Sequence, residues 1–200
     1  MSLTSANLTY NITKGLPVAN KIISVIFILF IINPEVKNIV IDLSYNTGGN
    51  LGALLRVLGH MTEEPIRMSY MNPRDGSNVT YFVEVETNAL TSVNWFILTS
   101  KVTFSAANLM ASIAKDMGIA TILGTQSGGG ASSITPIILP NGTFFTMSSL
   151  NVLSYRTGND EDGYTYYSIE DGIEPDVVLA VKDLYNPQKI AEAIESTLQP

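Results

Sequence analysis

The run Asn38-Ile39-Val40-Ile41-Asp42-Leu43 is apolar at nearly every central position. It predicts a strand buried on both faces, of the kind found inside parallel sheets. A different period follows it. Leu51, Leu54, Leu55 and Leu58 fall on one face of a helix from Leu51 to about His60, opened by Gly48-Gly49 and ended by Glu63-Glu64-Pro65. Further strands are predicted at Ile66–Met71 and Asn78–Val85, either side of the turn Asn72-Pro73-Arg74-Asp75-Gly76. Val93–Leu98 is another strand, Ala106–Met117 a helix and Ile119–Leu123 a strand, followed by the Gly-rich loop Gly124–Gly130. Ile134–Leu139 and Thr143–Met147 flank Pro140-Asn141-Gly142 as a hairpin. Leu150–Tyr155 and Val177–Val181 read as strands, Gly158–Gly163 as an acidic loop and Pro187–Leu198 as a terminal helix. At the other end, Pro17 opens a helix to about Ile32, and residues 1–16 read as a loop or edge strand left from an upstream segment. Strands alternating with helices at short spacing give the class α/β.

Composition narrows the functions open to such a domain. The chain has 200 residues, 46% apolar and 14% charged. Two hundred residues suit one domain with a sizeable core, here expected over 17–200. The low charge content predicts surface buried against a further segment. A net charge of −7 argues against nucleic acid or an anionic membrane surface as the main partner. There is no cysteine and one histidine, which excludes disulfides, thiolate catalysis and multi-histidine metal sites, so no metal or cofactor is expected. The longest apolar run, Ile22–Ile32, is too short to span a bilayer.

The candidate chemistry centres on Ser105, in Thr103-Phe104-Ser105-Ala106-Ala107-Asn108 between a predicted strand and a predicted helix. A serine on such a turn presents its hydroxyl outward. The helix N-terminus behind it offers unpaired N–H groups and a positive dipole end, both favourable to an oxyanion. Serine is also a common N-cap, which is the plainer explanation of the same residue. A second strand-to-helix turn lies upstream at Ser44-Tyr45-Asn46-Thr47-Gly48-Gly49-Asn50.

Four segments together resemble the C-terminal processing (tail-specific) peptidases and their tricorn-like relatives. Asp42-Leu43-Ser44-Tyr45-Asn46-Thr47-Gly48-Gly49 is similar to the family's D-L-R-x-N-x-G-G turn, and Ser105-Ala106-Ala107-Asn108 to its S-A-x-E nucleophile motif. Ile122–Ala131 is similar to its Gly-rich loop, and Gly172-Ile173-Glu174-Pro175-Asp176 to its closing G-I-x-P-D. The resemblance spans roughly 17–182. It implies a Clp protease/crotonase-like spiral of ββα units. It also implies a serine-type peptidase acting on polypeptide, with Ser105 as nucleophile. One oxyanion donor would be the N–H of Gly48 or Gly49, the other that of Ala106, and Gly128, Gly129 and Gly130 would line the substrate.

Departures from the pattern are informative. The lysine that serves as base in the processing peptidases is matched here by Gly130, and the Gly128-Gly129-Gly130 triplet resembles the tricorn-like branch instead. There the base is a histidine on a segment N-terminal to the core, oriented by a carboxylate near the domain's end, for which Glu170 is the candidate. The expectation is therefore a core lacking its base and inactive by itself. His60 reads as a helix-end residue, and Lys101, four residues upstream of Ser105 on the same turn, matches no family pattern for a base. Asn108 stands in place of the motif's glutamate and Ser44 in place of its arginine. By family habit the setting is secreted or cell-surface, and a homo-oligomer is compatible with it.

The rival readings are a non-catalytic module holding a peptide or lipophile on the same fold, and a crotonase-like acyl-CoA enzyme. The second lacks a basic cluster for CoA phosphates. A calcium loop at Gly158–Gly163 fails, because its first and twelfth ligand positions would be Gly158 and Ile169. The Gly-rich loop has no Gly-Lys-Ser/Thr ending and is no phosphate loop.

Overall fold

The computed structural model describes residues 7–11, 35–71, 77–86, 89–159 and 161–198. The expected helix from Pro17 and the turn at 72–76 lie outside the described residues.

A parallel sheet runs in the order β1(Asn7–Asn11), β2(Asn38–Asp42), β5(Asn94–Thr99), β6(Ala120–Gly124), β10(Val177–Val178). All its pairings are parallel. The period-two alternation of the two central strands explains why they look continuously apolar in sequence. Ile39, Ile41, Trp95 and Ile97 enter one core, with helices α1(Leu51–Met61) and α2(Ala106–Asp116). Val40, Phe96 and Leu98 enter a second core on the opposite face, against Ile190, Ala193 and Ile194 of helix α3(Pro187–Leu198). Both faces are dry, so polar alternation is lost.

The second sheet is antiparallel, in the order β4(Asn78–Val83), β3(Ile66–Met71), β8(Phe144–Asn159), β7(Ser132–Ile138), with β9(Gly163–Ser168) also on β8. It closes over the larger core through Leu153 and Tyr155. The buried Tyr155 hydroxyl donates to Asp116 on α2, and burial, then the Asp116 carboxylate, push its pKa well above the ordinary phenol range.

Most predicted elements are present within a residue or two. Three differ. The strands expected at 143–147 and 150–155 are one 16-residue strand, β8. The acidic stretch expected as a loop carries the end of β8 and the start of β9, a hairpin closed by the Asn159–Gly163 pair. β10 has only two residues, followed by a 3-10 turn at Val181–Asp183. Of residues 1–16 only 7–11 are described, and they form β1, paired along β2. Mixed α/β architecture with a parallel sheet and flanking helices matches the expected Clp protease/crotonase-like class.

Candidate active site

Three neighbouring parallel strands end on one edge of the sheet, and each releases a loop there. β2 leads into Ser44–Asn50, β5 into Ser100–Ser105 and β6 into Thr125–Ala131. The carboxyl edge of an open α/β sheet is where such folds place their ligands. Buried hydroxyls fix the loops to each other. Thr103 Oγ1 donates to the Leu43 carbonyl at 2.8 Å and Ser100 Oγ to that of Ser44 at 2.5 Å. The Phe104 N–H donates to the Asn46 carbonyl at 3.1 Å.

Ser105 is held at φ 54° and ψ −124°, the one non-glycine residue with positive φ among the described residues. An L-residue in that region is strained by about 1–3 kcal/mol. The conformation is imposed from both sides, by its N–H donating to the Gly129 carbonyl at 2.8 Å and its carbonyl accepting from Leu109 N–H at 2.9 Å. Ser105 occupies the N-cap of α2, yet its side chain makes no capping bond. The plain N-cap explanation therefore does not account for this serine.

The Gly48 turn lies directly against it. A Cβ built on Gly48 would fall 2.8 Å from Ser105 Cβ, 2.8 Å from the Phe104 carbonyl oxygen and 3.0 Å from Ala106 N. Only glycine permits that approach, at φ 98°. The Gly48 N–H is already committed, donating to Asn46 Oδ1 at 2.9 Å. Gly49, next in the chain, has φ 139° and open space where a Cβ would stand. The Ala106 N–H belongs to the first turn of α2, where helical N–H groups have no partner four residues back.

The Gly-rich loop is tied to the closing motif. Gly128 N–H donates to the Thr103 carbonyl at 2.7 Å and Gly130 N–H to the Glu170 carbonyl at 3.0 Å. Those two donors are internal to the fold, and Gly129 and Gly130 are buried. The Glu170 carboxylate accepts from Ala131 N–H at 2.7 Å. Beneath it lies a buried polar chain that sequence reasoning did not find. Asn108 Nδ2 donates to the Ile169 carbonyl at 2.7 Å, and Ser127 Oγ donates to Asn108 Oδ1 at 2.6 Å. Ser127 Oγ in turn accepts from Ile173 N–H at 2.7 Å. Asn108 has no exposed surface and Ser127 1%. The available signal was a lone asparagine inside the small and apolar stretch Ala106–Ala111. We expect Asn108→Ala to lower the unfolding free energy by about 2–3 kcal/mol, since it strands two buried partners, as read by urea denaturation.

Gly130 lies beneath an aromatic ring. A Cβ on Gly130 would lie 2.2 Å from Phe104 Cζ, with Cε2 and Cε1 at 2.5 and 2.6 Å. The Phe104 ring, 46% exposed, covers the glycine. Lys101 donates to Gln126. His60 ends α1, about 15 Å along the helix from the Gly48–Gly49 turn. A cavity of about 740 Å³, lined by Met61, Trp95, Ala120 and Leu198 among others, opens at the amino ends of β5 and β6, away from Ser105. Among the described residues no group of three or more acidic or histidine side chains could hold a metal ion. No helix there is long and apolar enough to cross a membrane.

The model of peptidase family S41 matches residues 26–179. Among curated proteins, none matches the chain. Among solved structures, the photosystem II D1 C-terminal processing protease is 19% identical with a TM-score of 0.68, over 96% of this chain and 46% of that one. A lipoprotein from Streptococcus agalactiae is 19% identical with a TM-score of 0.64, over 98% and 68% of the two chains. The tricorn protease is 20% identical with a TM-score of 0.58, over 97% and 17%. At such identities the likeness is one of fold. The chain spans less than half the length of the processing protease it matches.

Proposed function

The chain belongs to peptidase family S41, and from that premise we propose that residues 17–200 are a serine peptidase core in which Ser105 is the nucleophile. The observation that carries this reading is the strained, uncapped Ser105 packed against the Gly48 turn. Ser105 Oγ attacks the scissile carbonyl carbon and gives its proton to a base. The carbonyl oxygen becomes an anion held by the N–H groups of Ala106 and Gly49. One such donor contributes about 3–4 kcal/mol to the transition state in a well-studied peptidase. Collapse of the intermediate expels the amine, which takes the proton back from the base, and water then releases the acyl group by the same route. Gly128, Gly129 and Gly130 flank the bound polypeptide.

Lys101 is engaged with Gln126 and His60 lies in the last turn of α1, so neither is taken as that base. We assign it to a histidine outside these 200 residues, in the manner of the tricorn-like branch, with the Glu170 turn orienting it. The 200-residue chain alone is then inactive or nearly so, retaining at most the slow turnover of an oxyanion site without a base. Hydrolysis of an unfolded polypeptide by the longest natural form, abolished by Ser105→Ala, is the expected outcome. Equal hydrolysis by the Ser105→Ala form would refute the assignment.

Gly130→Lys is not expected to restore a serine–lysine pair. The Phe104 ring occupies the space, and a lysine at φ 86° adds backbone strain. The variant should stay unreactive toward a fluorophosphonate and lose roughly 2–3 kcal/mol of stability. The same filled position favours the second reading, a module that binds a peptide or lipophile without turnover. Stoichiometric binding with no product in the longest form would select it.

A further inference from the structure

The β7–β8 hairpin projects large apolar side chains into solvent. Ile134 is 70% exposed, Ile138 73%, Phe144 62%, Met147 52% and Leu139 41%. The register sorts them. Ile138 faces Phe144, Pro136 faces Thr146 and Ile134 faces Ser148, so these six residues share one face of the ribbon. All six are exposed. No charged residue occurs from Met117 to Tyr155, in a chain whose net charge is −7.

We propose that this face is a self-association surface, on which a second copy of the chain packs its own hairpin about a two-fold axis. The four apolar members, Ile134, Pro136, Ile138 and Phe144, expose roughly 500 Å² together, in the upper part of the range of apolar patches that monomers leave bare. A stable interface buries about 800 Å² per partner, and the Leu139–Thr143 turn at the tip supplies the remainder. Charge points to a second copy. Two molecules of net charge −7 repel each other except where they meet through an uncharged surface. An anionic lipid surface would call for lysine or arginine on this face, and residues 132–152, where β7 and β8 pair, contain none.

The contact is made by the faces of the ribbon and not by adding strands to its edge. β7 is an edge strand, and Leu139 N–H donates to the Thr143 carbonyl. Counting back by twos, the backbone groups of 137 and 135 point toward β8, and those of 138, 136 and 134 point outward. The middle outward position is Pro136, which has no N–H to donate. Edge pairing is blocked there while the face stays free.

The proposal is independent of the peptidase reading, and solution size tests it. Sedimentation equilibrium of the 200-residue chain should give a dimer at about 100 μM. Ile138→Lys and Phe144→Lys should each raise the dimer dissociation constant at least tenfold, with circular dichroism and melting temperature unchanged. Val181→Lys, at a residue 63% exposed outside the hairpin, should remain dimeric. A wild-type monomer at that concentration would overturn the proposal. So would a dimer that survives both hairpin lysines, or one that Val181→Lys dissolves equally. Binding of the monomer to phosphatidylcholine vesicles through Ile138 and Phe144 would assign the face to lipid instead.

Discussion

Replacing Ser105 with glycine is expected to abolish hydrolysis by the longest natural form and to raise stability by about 1 kcal/mol. Both effects come from one geometry. At φ 54° and ψ −124°, the Cβ of an L-residue is crowded by its own backbone, and glycine is the only residue at ease there. Relief of that strain is worth about 1–3 kcal/mol, offset in part by the greater freedom glycine gives the unfolded chain. Ser105→Ala separates the two effects. It removes the hydroxyl and keeps the Cβ, so it should be inactive with stability within about 0.5 kcal/mol of the parent. Urea denaturation of the three forms reads this directly. A glycine variant less stable than the alanine variant would mean that the turn stores no strain. Loss of stability in exchange for function is expected of a site that holds a nucleophile on a sharp turn.

The largest structural effect is expected from Gly129→Ala. Its Cβ would fall 1.9 Å from the Glu170 carbonyl oxygen, 2.8 Å from the Glu170 carbonyl carbon and 3.0 Å from Gly172 N, at φ 81°. All three are backbone atoms in a turn that the buried Asn108–Ser127 chain already fixes. Nothing can rotate away, so the Gly-rich loop and the Glu170 turn must separate, with a loss of about 3 kcal/mol or more. Because Gly129 also accepts the Ser105 N–H, the nucleophile turn shifts with it and reactivity falls. Gly142→Ala is the contrast. It too has positive φ, 84°, but a Cβ there meets nothing within 4 Å. It should lose only about 1 kcal/mol. Similar melting temperatures for the two variants would contradict this account of the loop.

The fold was legible where burial imposes a period. β2 and β5 are dry on both faces and appear as unbroken apolar runs, while α1 shows a leucine stripe. β9 was not legible. Tyr166 and Tyr167 are both exposed, so no alternation marks the strand, and the acidic residues before it read as a loop. The break expected near Met147–Leu150 is absent because Ser148 and Ser149 sit within a solvent-facing strand, where serine is tolerated. The contact between the Ser105 turn and the Gly48 turn was legible as two motifs, since backbone approach demands glycine. The engagement of the Gly48 N–H was not, because it depends on the Asn46 side chain folding back onto it. The Phe104 ring over Gly130 was equally hidden, as it joins residues on different loops.

The most direct test is labelling with a fluorophosphonate, read by intact mass, of the longest natural form beside the 200-residue chain and a Ser105→Ala control. The account predicts a single adduct on Ser105 in the long form and none on the other two. No adduct on any form, or an adduct that persists in the Ser105→Ala protein, would contradict it.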